Sequence, residues 1–197
     1  MLKIGIIDGT TRPNRKGATV SNWVLDLAKA RPAADVSYEL VDIAEFNLPN
    51  LDEPFPPSMR KYEHEHTKKW SAKVDSLDAF VFVTPEYNHS FSGSLKNAID
   101  FVYHEWTNKA AGFVSYGTTG GVRAVEHLRG VMAELQIADV RAHVSLSLYT
   151  DFENFSVFKP AESHKAQVNL MLDQLSNWGN AMKGLRDKLA AAASKAA

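Results

Sequence analysis

Three loops in this 197-residue chain combine residue types that can do chemistry. The first is Gly9-Thr10-Thr11-Arg12-Pro13-Asn14-Arg15-Lys16-Gly17. It sets three cations and three hydroxyl or amide side chains between two glycines. A helical pattern follows, whose free N–H groups and positive dipole end make an anion site. The hydroxyls of Thr10 and Thr19 and the guanidinium of Arg12 complete a phosphate cradle, with charge-assisted bonds of about 1.5–3 kcal/mol each. The bland alternative is a solvated basic loop. Counted from Gly9, GxxxxGK[ST] would need glycine at Asn14 and lysine at Arg15, and GxGxxG would need glycine at Thr11. Neither fingerprint is present. Hydroxyls with an arginine suit a mononucleotide phosphate that is held, not cleaved.

The second loop is Thr84-Pro85-Glu86-Tyr87-Asn88-His89-Ser90. Tyr87 can lay its ring against a planar ligand, and Asn88 can bond to ring edges or turn the chain. Ser92 and Gly93 then open a helix. The third loop, Tyr116-Gly117-Thr118-Thr119-Gly120-Gly121, lets a backbone approach a ligand closely, and N–H groups at the following helix start can stabilise negative charge. Alone it would be an ordinary flexible turn. Other candidates are weaker. His64 and His66, two apart on a helix, would point away from each other, so no metal site is expected. Asp8 ends the first strand with no second acid adjoining it. Ser115 with His127 or His143 lacks a GxSxG elbow, which argues against a hydrolase. Trp23 and Trp178 read as core; Trp106 reads as a subunit contact or a substrate wall.

The elements that must carry these loops alternate. Lys3 to Asp8, 79–84 (AFVFVT) and 111–116 (AGFVSY) are short, apolar and β-branched or aromatic, as strands buried on both faces are. Val36 to Ile43 and Val140 to Leu148 supply two more strands. Helices are expected over 18–30, from Gly93 to Tyr103, around Val125 to Leu135, and from Val168 to Leu185. Residues 47–58 carry four of the eight prolines and form an extended loop, read either as a surface linker or as a lid beside the site, before a polar helical stretch over 60–76. Residues 1–189 form one domain, and the alanine-rich 190–197 is expected to fray. Strand and helix alternate five times, which predicts an α/β sheet covered on both faces, with function at the carboxyl ends of the strands.

Composition narrows the class. Hydrophobic residues make up 45% and charged residues 23%, as in a soluble globular protein. There is no cysteine, so disulfides, thiolate metal sites and cysteine nucleophiles are excluded. With 22 Lys+Arg against 23 Asp+Glu, no nucleic-acid footprint exists. No stretch approaches a membrane span, and MLKIGIIDGTTR is too short an apolar run for a secretory leader. The expectation is a cytoplasmic enzyme with no membrane or nucleic-acid partner.

With these loops in hand, the sequence closely resembles the NADPH-dependent FMN reductase family of flavodoxin-like proteins. The matching segments are IGIIDGTTRPNRKG (4–17), VTPEYNHSFSGSLKNAIDF (83–101) and KAAGFVSYGTTGGVRAVEHLR (109–129). They follow the family's order, and the resemblance extends from residue 1 to about 148. It implies a flavodoxin-like three-layer α/β sandwich, its five-stranded parallel sheet ordered 2-1-3-4-5. FMN would be bound noncovalently, its phosphate held by Thr10, Arg12, Thr19 and the backbone of Val20. Pro85, Glu86, Tyr87 and Asn88 would contact the isoalloxazine and ribityl chain, and Ser115, Tyr116 and Gly117 would border the ring from the other side. The family more often has serine at the position of Thr10, and an apolar or small residue at that of Asp8. A carboxylate there weakens phosphate binding unless Arg12 or Arg15 neutralises it. A homodimer or homotetramer is implied.

The resulting expectation is a ping-pong oxidoreductase. NADPH (or NADH) gives hydride to FMN and leaves, and a small acceptor follows: a flavin, quinone, azo compound or metal oxyanion. The cofactor carries the hard chemistry, so no obligatory catalytic side chain is expected. The rival readings are a flavin-bound electron carrier or regulatory module without NADPH turnover, and an interaction protein that lost FMN.

Overall fold

The structure, a computed structural model, describes residues 1–32 and 35–196. Five parallel strands make one sheet: β1 (Leu2–Asp8), β2 (Val36–Asp42), β3 (Ala79–Pro85), β4 (Ala110–Gly117) and β5 (Ala138–Ser147), in the order β2-β1-β3-β4-β5. The expected order is the observed one. Between them run α1 (Gly17–Lys29), α2 (Glu65–Asp75), α3 (Gly93–Asp100) and α4 (Val122–Glu134), and α5 (Ser163–Ala196) follows. The reversal of winding between β1 and β3 places the ends of those strands side by side, with Asp8 in register with both Asp42 and Val83.

Side chains alternate across each strand, which divides the core in two. Phe80, Phe82 and Phe113 face α2, α3 and α4 together with Trp70 and Trp106. Ile4, Ile6, Val81 and Val114 face α1 and α5. Every residue of β3 and β4 is buried, the pattern of strands covered on both faces.

Several details correct the sequence reading. Trp106 is fully buried, its indole N–H donating to the Ile99 carbonyl (3.1 Å), so it is core and neither a contact nor a wall. Trp178, by contrast, is 49% exposed, and Trp23 is half-buried with its ring edge on Phe158. The helical repeat of α5 continues outside the face that meets the sheet, so periodicity alone could not place Trp178. His64 precedes α2 in extended backbone, so it does not share a helix with His66. Their rings stack at 5.2 Å, and His66 Nε2 meets Asp52 Oδ1 at 3.0 Å. Among the described residues no cluster suited to a metal ion occurs. A two-stranded hairpin, β6 (Phe152–Glu153) with β7 (Val157–Phe158), precedes α5 and was not foreseen. The alanine-rich tail expected over 190–197 continues α5 as helix to residue 196, with 190–195 exposed throughout, and residue 197 lies outside the described residues.

The proline-rich stretch is pinned down. Asn97 Nδ2 donates to the Pro49 carbonyl (2.6 Å), and the Leu51 amide donates to Asn97 Oδ1 (3.0 Å). Buried Glu105 then accepts from Ser71 Oγ (2.8 Å), Tyr62 Oη (3.1 Å) and Arg60 Nε (3.2 Å). This strap lies along α3 and the residues after it.

Candidate functional site

The first loop runs from the end of β1 to the start of α1. Lys16 is the N-cap residue and makes no side-chain cap, and the first intrahelical bond is Val20 N–H to the Lys16 carbonyl (3.1 Å). The amides of Gly17, Ala18 and Thr19 therefore have no acceptor within the helix. Thr10 is buried beside Gly17, while Arg12 and Thr19 are exposed. Gly17 has to be glycine, since a Cβ there would collide with Asp8 Oδ1 and crowd Thr10.

Below this helix start lies a nest of charge. Arg15 Nε donates to Asp8 Oδ2 (2.9 Å), and the other end of the same guanidinium pairs with Asp42. Burial pushes the Asp8 carboxyl up to about 6, against the downward pull of Arg15; the charge of Asp42 adds to the rise. A second acid does adjoin Asp8, contrary to the sequence reading. It comes from β2, 34 positions away in sequence and directly opposite in register.

The second loop is a tight hairpin turn. Tyr87 and Ser90 exchange backbone hydrogen bonds of 2.8 and 3.0 Å, with Asn88 (φ 48°) and His89 (φ 76°) between them at positive φ. Two central residues in this region mark a primed turn, which asparagine tolerates well. The turn holds Tyr87 out from the sheet, and the Arg12 guanidinium lies 5.7 Å from its ring centroid. Ser92 Oγ bonds to the Gly9 carbonyl and caps α3 by accepting from the Leu95 amide (3.1 Å). First and second loops are thus joined at two places.

The third loop is fixed to the second. Glu86 N–H donates to the Tyr116 carbonyl (2.9 Å), and the Glu86 carboxylate pairs with Arg123 and accepts the Arg123 amide (3.2 Å) at the start of α4. Arg123 also donates to Thr119 Oγ1 (3.0 Å). Gly120 and Gly121, both at φ +75°, let the loop fold back so that Ser115 Oγ donates to the Gly120 carbonyl (2.7 Å).

A family model described as NADPH-dependent FMN reductase matches residues 2–151. The chain belongs to the NADPH-dependent FMN reductase family. An NAD(P)H-dependent FMN reductase of a Nectria species is 41% identical over 159 residues, spanning 77% of this chain and 79% of the relative. A 2-hydroxy-1,4-benzoquinone reductase of a Burkholderia species is 31% identical over 145 residues, spanning 69% and 73%. The flavoenzyme FerB of Paracoccus denitrificans, an NAD(P)H:(acceptor) oxidoreductase, superposes with a TM-score of 0.70 at 18% identity over 90% of this chain and 98% of that one. This last likeness is one of fold. As a member of the family the chain is an oxidoreductase that uses NAD(P)H and FMN.

The residues present fit FMN. An uncapped helix start with free amides, flanked by Arg12, Thr10 and Thr19, suits the phosphate. The second and third loops lie against each other at the carboxyl ends of β3 and β4, the edge whose outer crevice binds ligands in doubly wound sheets. Three sequence assignments change in detail. The Val20 amide is taken by the helix, which leaves the amides of residues 17–19 for an anion. The Tyr116 side chain is buried on the α1/α5 side of the sheet, with its hydroxyl near Asp8, Arg12 and Arg15 and not turned onto an open ring face. Ser115 is fully buried, and its hydroxyl shapes the third loop from within. His127 Nδ1 meets Ser90 Oγ at 2.9 Å, and the Ser115 hydroxyl is occupied elsewhere, so no triad forms.

Sequence reasoning missed Asp42 and the pairing of Arg123 with Glu86, and read Ser92 only as the opening of a helix. Ser92 followed by Leu95 is a capping signal already in the sequence. The other two depend on tertiary pairing. A cavity of about 480 Å³ opens beside Thr11, between the 3₁₀ turn at Ile43–Phe46 and α3, lined by Asn47, Asn50, Ser94 and Asn97 among others. It includes none of the residues expected to touch flavin.

Proposed function

We propose that the chain transfers hydride from NADPH, or NADH, to FMN held at the carboxyl ends of β1, β3 and β4, and then reduces a small quinone, flavin, azo or metal-oxyanion acceptor. The convergence of the three loops, with Arg12 against Tyr87 and Glu86 against Arg123, carries the reading of the site. Thr10, Arg12, Thr19 and the amides at the start of α1 hold the phosphate. Pro85, Glu86, Tyr87 and Asn88 lie along one side of the ring, and the backbone of Ser115, Tyr116 and Gly117 along the other. Bound FMN supplies the redox chemistry; the protein binds, orients and stabilises charge through backbone N–H groups.

The Burkholderia relative's activity supports a quinone as acceptor. A homodimer or homotetramer is supported by the apolar stripe of Leu170, Trp178, Leu185 and Leu189 left exposed on α5. Among the described residues no helix is long and apolar enough to cross a membrane. We place the protein in the cytoplasm.

The deciding experiment is the visible spectrum of the purified protein, followed by anaerobic NADPH. A flavin spectrum that bleaches, and recovers its colour with quinone, is the expected result. A flavin spectrum that stays unbleached would replace an enzyme with a carrier, and protein unable to take up FMN would remove the reading.

A further inference from the structure

Asp8 is an unexpected group beneath an anion site. It closes β1, is 1% exposed, and its Oδ1 has no hydrogen-bond partner. That oxygen is aimed at the start of α1, where a Cβ on Gly17 would strike it. The same helix start offers the amides that would hold the FMN phosphate. From the first loop Arg15 and the Thr10 amide face the carboxylate. From β2 comes Asp42, which takes the other end of Arg15. From β4 comes Tyr116, whose buried hydroxyl also lacks a partner and which in turn feels Arg12 and Tyr87. One guanidinium thus serves two carboxylates, so Asp8, Asp42 and Arg15 together carry one net negative charge when ionised. A phosphate brought to the start of α1 adds charge of the same sign beside a carboxylate from which water is excluded.

We propose that Asp8 is a proton-linked gate on the flavin phosphate: FMN binds with uptake of one proton from solvent onto Asp8, and a flavin without the phosphate binds without it. The proposal rests on the reading of this crevice as an FMN site. One O–H bond forms on the carboxylate, and no electrons move. Neutralising Asp8 leaves Arg15 to Asp42 and removes the charge nearest the phosphate. In the free protein the Asp8 carboxyl ionises at about 6, so above that pH the proton has to be drawn from solvent on binding. Uptake of one proton weakens affinity by about tenfold per pH unit. A phosphate monoester loses its second proton near pH ~6, so above about pH 7 its own titration would not produce this fall.

The test titrates apoprotein with FMN, followed by flavin fluorescence, at about pH 6.5, 7.5 and 8.5, where linkage is legible. Calorimetry in two buffers of different ionisation enthalpy counts the protons, and riboflavin serves as the phosphate-free probe. The expected result is an FMN Kd that rises by about tenfold per pH unit with close to one proton taken up, and a riboflavin Kd that stays flat. Asp8→Asn should flatten the FMN dependence and bind FMN more tightly than the parent at the highest pH. Should that variant fail to fold, the buffer pair on the unaltered protein still decides. A flat FMN Kd without proton uptake overturns the proposal and leaves the FMN site standing. An equal pH dependence with riboflavin also overturns it, since the titrating group would then answer to the ring. Failure to bind FMN at any pH removes the site reading itself, and the proposal with it.

Discussion

Arg12 and Arg123 stand on different loops of the candidate site and meet different partners. Arg12 is exposed at the rim of the first loop, with no carboxylate partner among the described residues; its guanidinium lies against Tyr87. Arg12→Ala should therefore leave folding stability within about 0.5 kcal/mol of the parent, as for a surface substitution. It should weaken FMN binding by about 1.5–3 kcal/mol, the worth of a charge-assisted bond. Thermal unfolding of the apoprotein and FMN titration measure the two effects separately, and unchanged FMN affinity would reassign the phosphate contact. Arg123 has a buried partner. Its removal in Arg123→Met leaves the Glu86 carboxylate, with a side chain only 6% exposed, facing the start of α4 without its cation. Leaving such a group uncompensated costs about 1–3 kcal/mol, so this variant should lose both apoprotein stability and FMN affinity. Loss of flavin affinity alone would mean that Arg123 touches ligand and does not hold the loops.

Among the elements, α3 is the joint between the first and second loops. Ser92 caps it and also bonds to the Gly9 carbonyl, so one hydroxyl fixes a helix start to the loop after β1. Ser92→Ala should cost about 1–2 kcal/mol by loss of the cap, read as a shift in the denaturation midpoint. Hydrogen exchange should speed up at the Leu95 amide, which loses its acceptor, and also at the Gly9 amide, whose own bond to the Val83 carbonyl (2.8 Å) loosens once the Gly9 carbonyl is released. Acceleration at Leu95 alone would show that the serine serves only its helix. Elements of this kind were legible where the signal is local. The buried runs of β1, β3 and β4 gave themselves away by their β-branched and aromatic residues, and the three loops by their positions after those strands. The hairpin of β6 and β7 was not legible, because two-residue strands have no periodicity to read. The exposure of Trp178 was hidden for a related reason: α5 is apolar on more of its surface than the sheet covers. The partnership of Asp8 with Asp42 was invisible because it depends on strand register and on Arg15 reaching both.

At the scale of the whole molecule, α5 packs across the sheet, and it is pinned by charge at the end remote from the candidate site. Asp78, just before β3, accepts from the Lys3 amide (2.9 Å) and from Lys183 Nζ (3.0 Å), and pairs with Arg186. Arg186 also donates to the Asn108 carbonyl (2.7 Å). Nearby, the buried Lys109 ammonium closes the end of α2 by donating to the Val74 carbonyl (2.7 Å). Burial alone would raise the Asp78 carboxyl, but the Lys3 amide, Lys183 and Arg186 outweigh it and hold it below the ordinary aspartate value. A carboxyl depressed in the folded state contributes stability above its unfolded value, near pH 3.8, and loses it as pH falls through the folded value. Asp78→Asn keeps an acceptor for the Lys3 amide but removes the charge that holds two cations of α5. Lys183 and Arg186 are partly exposed, so the loss at neutral pH is put at about 1–3 kcal/mol. The difference between parent and variant should shrink on acidification, as the parent's own Asp78 becomes protonated. Denaturant midpoints at about pH 7 and then from about pH 4 down to about pH 2, below the unfolded value, measure this convergence. A difference that holds constant with pH would mean the variant fails by packing, and that the ion pairs do not anchor α5. Because the anchor lies at the amino ends of the strands, FMN affinity per folded molecule should be unchanged in Asp78→Asn. The stability of the sheet and the chemistry of its carboxyl edge would then be separable in one variant.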